Sequence, residues 1–324
     1  MNTEFLSKDK AGLLIKILGI LQLVIGLLSL GIAPLEIYSY YLLSEDGRFY
    51  YDGFGVGSFL YGLIFAQIIG YYFIAFIFIT IGYGHLKLKN WALKLSKSCI
   101  WFWIIFGLPI MLFFLPLLSM KEIEVKYPIF FVASVIILFI VIIPGLLLSF
   151  YNQKNVKKLF RNRNYSDVAI RNIPIKVYLL LLVYIFYIMI FHIMLFYKGI
   201  FPFFGTFLID FKGLLFHDLC ILLMFLLIYG LLKRKYWTWI LSITFFVLMS
   251  ISTITTLINY QYINIIELLD FPKVENDIFM KLPLKSSYLL IAVFGILLLT
   301  IILIIKTKNY YIKERKLTLK KEGL

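Results

Sequence analysis

Cysteine is nearly absent from this chain: there are two in 324 residues, Cys99 and Cys220. Both fall within or at the edge of long apolar runs, at opposite depths, so no disulfide framework is implied. Histidine occurs three times, and 17 acidic residues stand against 32 Lys and Arg. Catalytic patterns are missing as well, with no H-E-x-x-H, G-x-S-x-G, Walker A or C-x-x-C anywhere in the chain. The glycines between Gly53 and Gly57, in GFGVGSF, follow no strand and open no soluble α/β domain, so they lack the context of a phosphate-binding loop. Near the middle of the apolar runs there is no Asp, Glu, Arg or Lys, which weighs against ion-coupled transport, because a driving ion needs a buried charge to bind it.

What the chain has instead is apolar surface: 62% of residues are hydrophobic and 19% aromatic. Apolar segments of about 20 residues, the length that crosses a hydrocarbon core of roughly 30 Å, recur eight times, near 11–33, 58–83, 98–118, 128–150, 177–197, 213–232, 238–258 and 286–305. They are continuously apolar, without the in-out alternation of barrel strands, so they predict helices. The first run has no small-x-small cleavage site after LGILQLVIGLLSLGIAP and is expected to be an uncleaved span.

A net charge of +15 would suggest nucleic acid in a soluble protein. Its distribution argues otherwise. With Lys16 and Asp218 counted at the nearer surface, the N-terminus, the loops after spans 2, 4 and 6 and the C-terminal tail hold 24 basic and 5 acidic residues. The remaining loops hold 8 basic and 12 acidic residues. This is the positive-inside bias, which predicts both termini in the cytoplasm of a cell-membrane protein. The expected partners are membrane lipids, with anionic headgroups on the cytoplasmic face. A membrane-protein partner or a second copy stays open, and no basic domain is left over for nucleic acid.

One motif is written twice. GHLKLKNWALKL, from Gly84 to Leu95, returns as GLLKRKYWTWIL, from Gly230 to Leu241, with six of twelve positions identical. Each copy links an even-numbered span to the next odd one. The glycines are expected to end the incoming helix as left-handed residues. Lys87, Lys89, Lys233 and Lys235 would extend to headgroups, and Trp91 and Trp237 would lie in the interfacial belt. The plain reading is a tight interfacial hairpin without a ligand, and the sharper one is a lipid-phosphate contact. The recurrence predicts an internal duplication: a first four-helix unit over 1–150, a basic linker over 151–175 and a second unit over 176–324. Within the linker the VKKLF core, Val156 to Phe160, is expected to form a short helix on the membrane surface. Pro109, Pro116 and Pro144-Gly145 predict kinks in the first unit that the second does not match.

The hairpin resembles one found in small, uncharacterised prokaryotic membrane proteins built on roughly four helices. The resemblance covers only Gly84 to Leu95 and Gly230 to Leu241. It implies a bundle architecture and no activity.

Chemistry has few places to sit. His192, His217 and Asp218 lie about one turn from the outer ends of spans 5 and 6, where two imidazoles and a carboxylate have the donor types for a transition metal or a proton relay. Their spacing carries no ligand signature, and isolated interfacial side chains are the simpler reading. Ser252, Thr253 and Thr256 share one face of span 7 and mark either close packing or a polar path. Gln22 and Gln67 are expected to hydrogen-bond between helices. Residues 259–285 contain INIIELLDF, which has the periodicity of a short surface helix.

The expectation is therefore an all-α, polytopic membrane protein of eight spans in two tandem four-helix repeats, without metal or cofactor. Its leading reading is a non-catalytic scaffold, accessory or lipid-interacting bundle. The alternative is a channel or transporter for a small solute through the interface between the halves. An intramembrane metal-binding protein or enzyme ranks last.

Overall fold

Continuous apolar runs leave the backbone no partner but itself, and the chain accordingly forms long helices. The computed structural model describes residues 7–114, 134–135, 137–162, 173–282 and 284–321. Seven of its helices are long and apolar enough to cross a membrane. They are α1 (Lys8–Leu43), α2 (Phe59–Leu86), α3 (Asn90–Phe114), α6 (Ile175–Met194), α7 (Asp210–Leu232), α8 (Tyr236–Asn259) and α11 (Ser286–Lys321). The expected fourth span, 128–150, lies partly outside the described residues. Its described portion is a π-helical turn, Leu138–Ile142, running into α4 (Ile143–Asn152), whose first turn holds Pro144. Pro109 lies inside α3 as expected, while Pro116 lies outside the described residues.

Shorter elements close the two ends of the bundle. Within the basic linker the described residues form α5 (Lys154–Asn162), on the stretch whose VKKLF pattern predicted it. The segment after α8 forms α9 (Tyr262–Leu269), which begins with a capping box between Gln261 and Asn264. A helix that was not anticipated, α10 (Lys273–Lys281), follows it. The link between α6 and α7 contains an antiparallel hairpin of β1 (Phe201–Phe203) and β2 (Thr206–Leu208), with Phe201 opposite Leu208.

Small residues set the closest helix contact. α1 runs along α2, and Gly19, Gly26 and Ala33, seven residues apart, face it buried. A Cβ at Gly19 would stand 3.0 Å from His85 Cβ, and one at Gly82 would stand 2.7 Å from the Gly19 carbonyl. Backbones that approach this closely gain dispersion contacts that lipid tails cannot replace. The main core sits further along the chain. There α6 is surrounded by α2, α3, α7 and α11 and buries Leu180, Val183, Tyr184 and Tyr187. Between α3 and α6 the contact is aromatic, with Phe102, Phe106 and Phe186 ring centroids 4.3–5.4 Å apart. Exposed leucines and isoleucines along α1, α7 and α8 form the outer wall, as a lipid-facing surface requires.

Candidate functional site

The two copies of the repeated motif fold into the same turn, bond for bond. Lys89 N–H donates to the Gly84 carbonyl and Lys235 N–H to that of Gly230, each at 2.8 Å. Leu88 N–H donates to His85 O at 3.0 Å and Arg234 N–H to Leu231 O at 3.1 Å. These are the two bonds of a Schellman motif. The left-handed residue is not the glycine: Leu88 has φ 52° and Arg234 φ 54°, while Gly84 and Gly230 are three positions inside the helix end. Glycine is needed there because the next helix starts against it. A Cβ at Gly84 would collide with Ala92 and the Trp91 ring, and one at Gly230 with Thr238. Lys87, Lys233 and Lys235 are exposed, Lys89 and Trp91 half-buried and Trp237 exposed at the turns' rim.

Under the first turn, at the bundle's basic end, lies a buried polar centre that sequence reasoning missed. His85, 0% exposed, points its Nδ1 at the Ile81 carbonyl at 2.9 Å. A carbonyl only accepts, so Nδ1 carries the proton and Nε2 is the acceptor for the Tyr151 hydroxyl, also at 2.9 Å. Ser96 and Gln22 border that hydroxyl, and Gln22 Oε1 is buried without a partner. Phe160 of α5 closes the centre edge-on to the imidazole at 5.4 Å. In the second copy the position of His85 is Leu231, equally buried. An imidazole standing where the duplicate has a leucine was the available signal.

Lys97 was counted with the loop, yet it stands in the third turn of α3, 6% exposed. Its Nζ donates to Asn152 Oδ1 at 2.9 Å, and among the described residues no carboxylate pairs with it. Lys94, one turn earlier, donates to the Ile173 carbonyl at 2.9 Å. Carbonyl and amide oxygens thus draw two ammonium groups into the bundle's basic end.

At the opposite, acidic end a carboxylate caps α2. Glu275 of α10, 7% exposed, accepts from Ser58 Oγ at 2.8 Å, Phe59 N at 2.6 Å and Leu60 N at 2.9 Å. A negative charge on a helix N-terminus satisfies free N–H groups and the helix dipole together. Burial, and then this carboxylate, push the nearby Tyr51 and Tyr197 phenols above their ordinary values, so both stay protonated. Tyr197 donates to the Phe59 carbonyl at 3.1 Å. The clasp joins residues 217 positions apart, which no local pattern encodes.

Among the remaining sequence candidates, Ser252, Thr256 and both histidines have protein partners. Ser252 accepts from Phe204 N at 3.0 Å and donates to Pro202 O at 2.7 Å. Thr256 accepts from Gly205 N at 3.1 Å and donates to Thr206 O at 3.2 Å. The hydroxyl face of α8 therefore grips the β-hairpin, whose turn residues Phe204 and Gly205 both have positive φ. His192 donates from Nδ1 to Ile188 O at 2.7 Å, within its own helix. His217 lies between the Phe191 and Phe201 rings and donates from Nε2 to Ile200 O at 3.1 Å. Asp218 is exposed. Among the described residues no three His, Cys, Asp or Glu side chains come together in a way that would hold a metal.

A family model described as "Ion channel" matches residues 52–121. The match is less than half of the chain. It begins at the acidic-end clasp, takes in α2 and the first turn, and covers α3 with Ser96 and Lys97. No curated protein and no solved structure matches the chain.

Proposed function

We propose that this protein is an ion-conducting membrane protein, captured closed, whose path runs within the first four helices. The observation that carries the reading is the similarity of residues 52–121 to an ion-channel family, because that stretch holds the buried His85, Ser96, Lys97 and Ser98. The contact between α3 and α6, part of the interface between the halves, is filled by phenyl rings, which favours a path inside one unit over a path between the two. His85, Ser96 and Lys97 lie at the basic end of α2 and α3, with Gln22 and Asn152 beside them. The only formal charge in that set is positive. Lysine-lined constrictions favour anions, so the conducted species is a small anion. α5 with Phe160 closes one end and the Glu275 clasp the other.

The matching turns support a tandem duplication, and the charge bias supports placing the basic end and both termini in the cytoplasm of a cell membrane. No catalytic role is assigned.

The test is flux in liposomes that hold the full chain, with a halide-quenched dye inside and a cation-sensitive dye in a parallel preparation. Halide entry is expected to exceed cation entry, to rise with Phe160→Ala and to fall with Lys97→Gln. No flux above empty liposomes, with Phe160→Ala and Glu275→Ala tested as well, would sink the reading. The non-conducting scaffold would then stand, and one observation favours it now: the α8 hydroxyls, a candidate polar path, are spent on the hairpin.

A further inference from the structure

The second copy of the turn differs from the first in what covers it. In the first, Leu88 is buried beneath α5 with Val156 and Phe160. In the second, the left-handed position is Arg234, whose Nε donates to Tyr310 Oη at 3.1 Å while its guanidinium lies 4.9 Å from the Tyr310 ring centroid. Beside Tyr310 a pocket of about 330 Å³ opens between the first turn of α6 and α11. That volume falls in the roughly 300–1,000 Å³ range of ligand sites.

The lining is basic. Lys176 comes from α6 and Lys306 from α11, with Asn309 and Tyr310 between them and, among the described residues, no carboxylate in the wall. Neither lysine pairs with a carboxylate among the described residues. α6 starts behind Pro174, which offers no side-chain cap, so the positive end of its dipole and its first N–H groups face the same region. The wall is held in place from outside the pocket. Arg234 fixes Tyr310, and Trp239 of α8 donates to the Ile304 carbonyl of α11 at 3.0 Å while the Lys308 ammonium lies 5.0 Å from its ring. Directly below, Ile302 and Ile305 are exposed on α11, one turn from Lys306 and Asn309.

We propose that this pocket binds a phosphate group, that of an anionic phospholipid of the leaflet at the basic end. Lys176 and Lys306 supply the charge, the α6 N-terminus supplies backbone donors, and Ile302 and Ile305 supply a track for the acyl chains. Basic pockets between membrane helices on the cytoplasmic side hold acidic headgroups by this combination of charge and depth. The site is independent of the conduction path.

The test uses the full chain in detergent, with retention of phosphatidylglycerol over phosphatidylcholine read by native mass spectrometry. Each lysine near an anionic lipid contributes about a five-fold preference, so Lys176→Gln with Lys306→Gln is expected to weaken retention about thirty-fold. Lys273→Gln with Lys281→Gln removes the same charge from exposed positions on α10, at the opposite end, and is expected to stay within about two-fold of the parent. Lys176→Arg with Lys306→Arg keeps both charges and should retain the lipid. Equal losses in the two Gln pairs, or a loss in the Arg pair as large as in the Gln pair at this site, would overturn the proposal. Inorganic phosphate is the second probe. Thermal protection of the lipid-free parent, lost in the Gln pair at this site, would keep the phosphate site and move its source to solution. No difference between the parent and that pair with either probe would overturn it.

Discussion

Replacing Glu275 by Ala should free the acidic end of α2. Its carboxylate takes hydrogen bonds from Ser58 Oγ, Phe59 N and Leu60 N, so three donors lose their acceptor at once. A buried donor left unpaired costs about 1–3 kcal/mol. Phe59 and Leu60 are only partly covered and water can reach them, so the low end applies, about 3 kcal/mol for the three. The lost charge at the helix N-terminus adds about 0.5–1 kcal/mol. Together this is about 3–4 kcal/mol, which raises local opening by about 10²–10³. Gln keeps one acceptor oxygen and loses the charge, so Glu275→Gln should cost about half as much. The assay is amide hydrogen exchange in nanodiscs. In Glu275→Ala, exchange at the N–H groups of residues 59–62 and in α10 should quicken by that factor, while the buried centre of α8 stays protected. Unchanged protection at residues 59–62 in Glu275→Ala would refute the reasoning, since it would mean the clasp carries no free energy.

Other substitutions test the remaining contacts. Gly84→Ala and Gly230→Ala each push a Cβ into the start of the next helix, and each should lower stability by about 1–3 kcal/mol in thermal unfolding. Tyr151→Phe leaves His85 Nε2 buried without its donor and should destabilise by about 1–3 kcal/mol, with His85→Leu milder because the duplicate turn already tolerates leucine there. Single cysteines at Ser252 and Thr256, in a background lacking Cys99 and Cys220, should resist a membrane-impermeant thiol reagent from both sides, because the hairpin covers them. Labelling at both would show that α8 lines water.

Legibility in the sequence followed the range of the forces involved. The apolar runs marked the seven long helices, since a twenty-residue apolar segment has no other way to satisfy its backbone in a bilayer. The boundaries slipped where charge misled. Lys94 and Lys97 read as loop, yet they extend α3 back to Asn90 because Ile173 and Asn152 offer them oxygen acceptors. The hairpin at Phe201–Leu208 was invisible because its turn is Phe204-Gly205, with a bulky residue at φ 41°, and its hydrogen bonds come from Ser252 and Thr256 some fifty residues away. The amphipathic pattern of α5 was plain, but not that Phe160 would lie on His85.

What the sequence determined by itself was what water, lipid and the local backbone decide: helical spans, the charge bias between the two ends, and a turn used twice. Only the tertiary structure decided the polar partners. It put the proton of His85 on Nδ1, set Glu275 on the end of α2, gave the α8 hydroxyls to the hairpin, and left Lys176 and Lys306 beside an open pocket. Hydrophobic periodicity is a property of each segment alone, whereas a buried polar atom is satisfied by whichever segment packs against it.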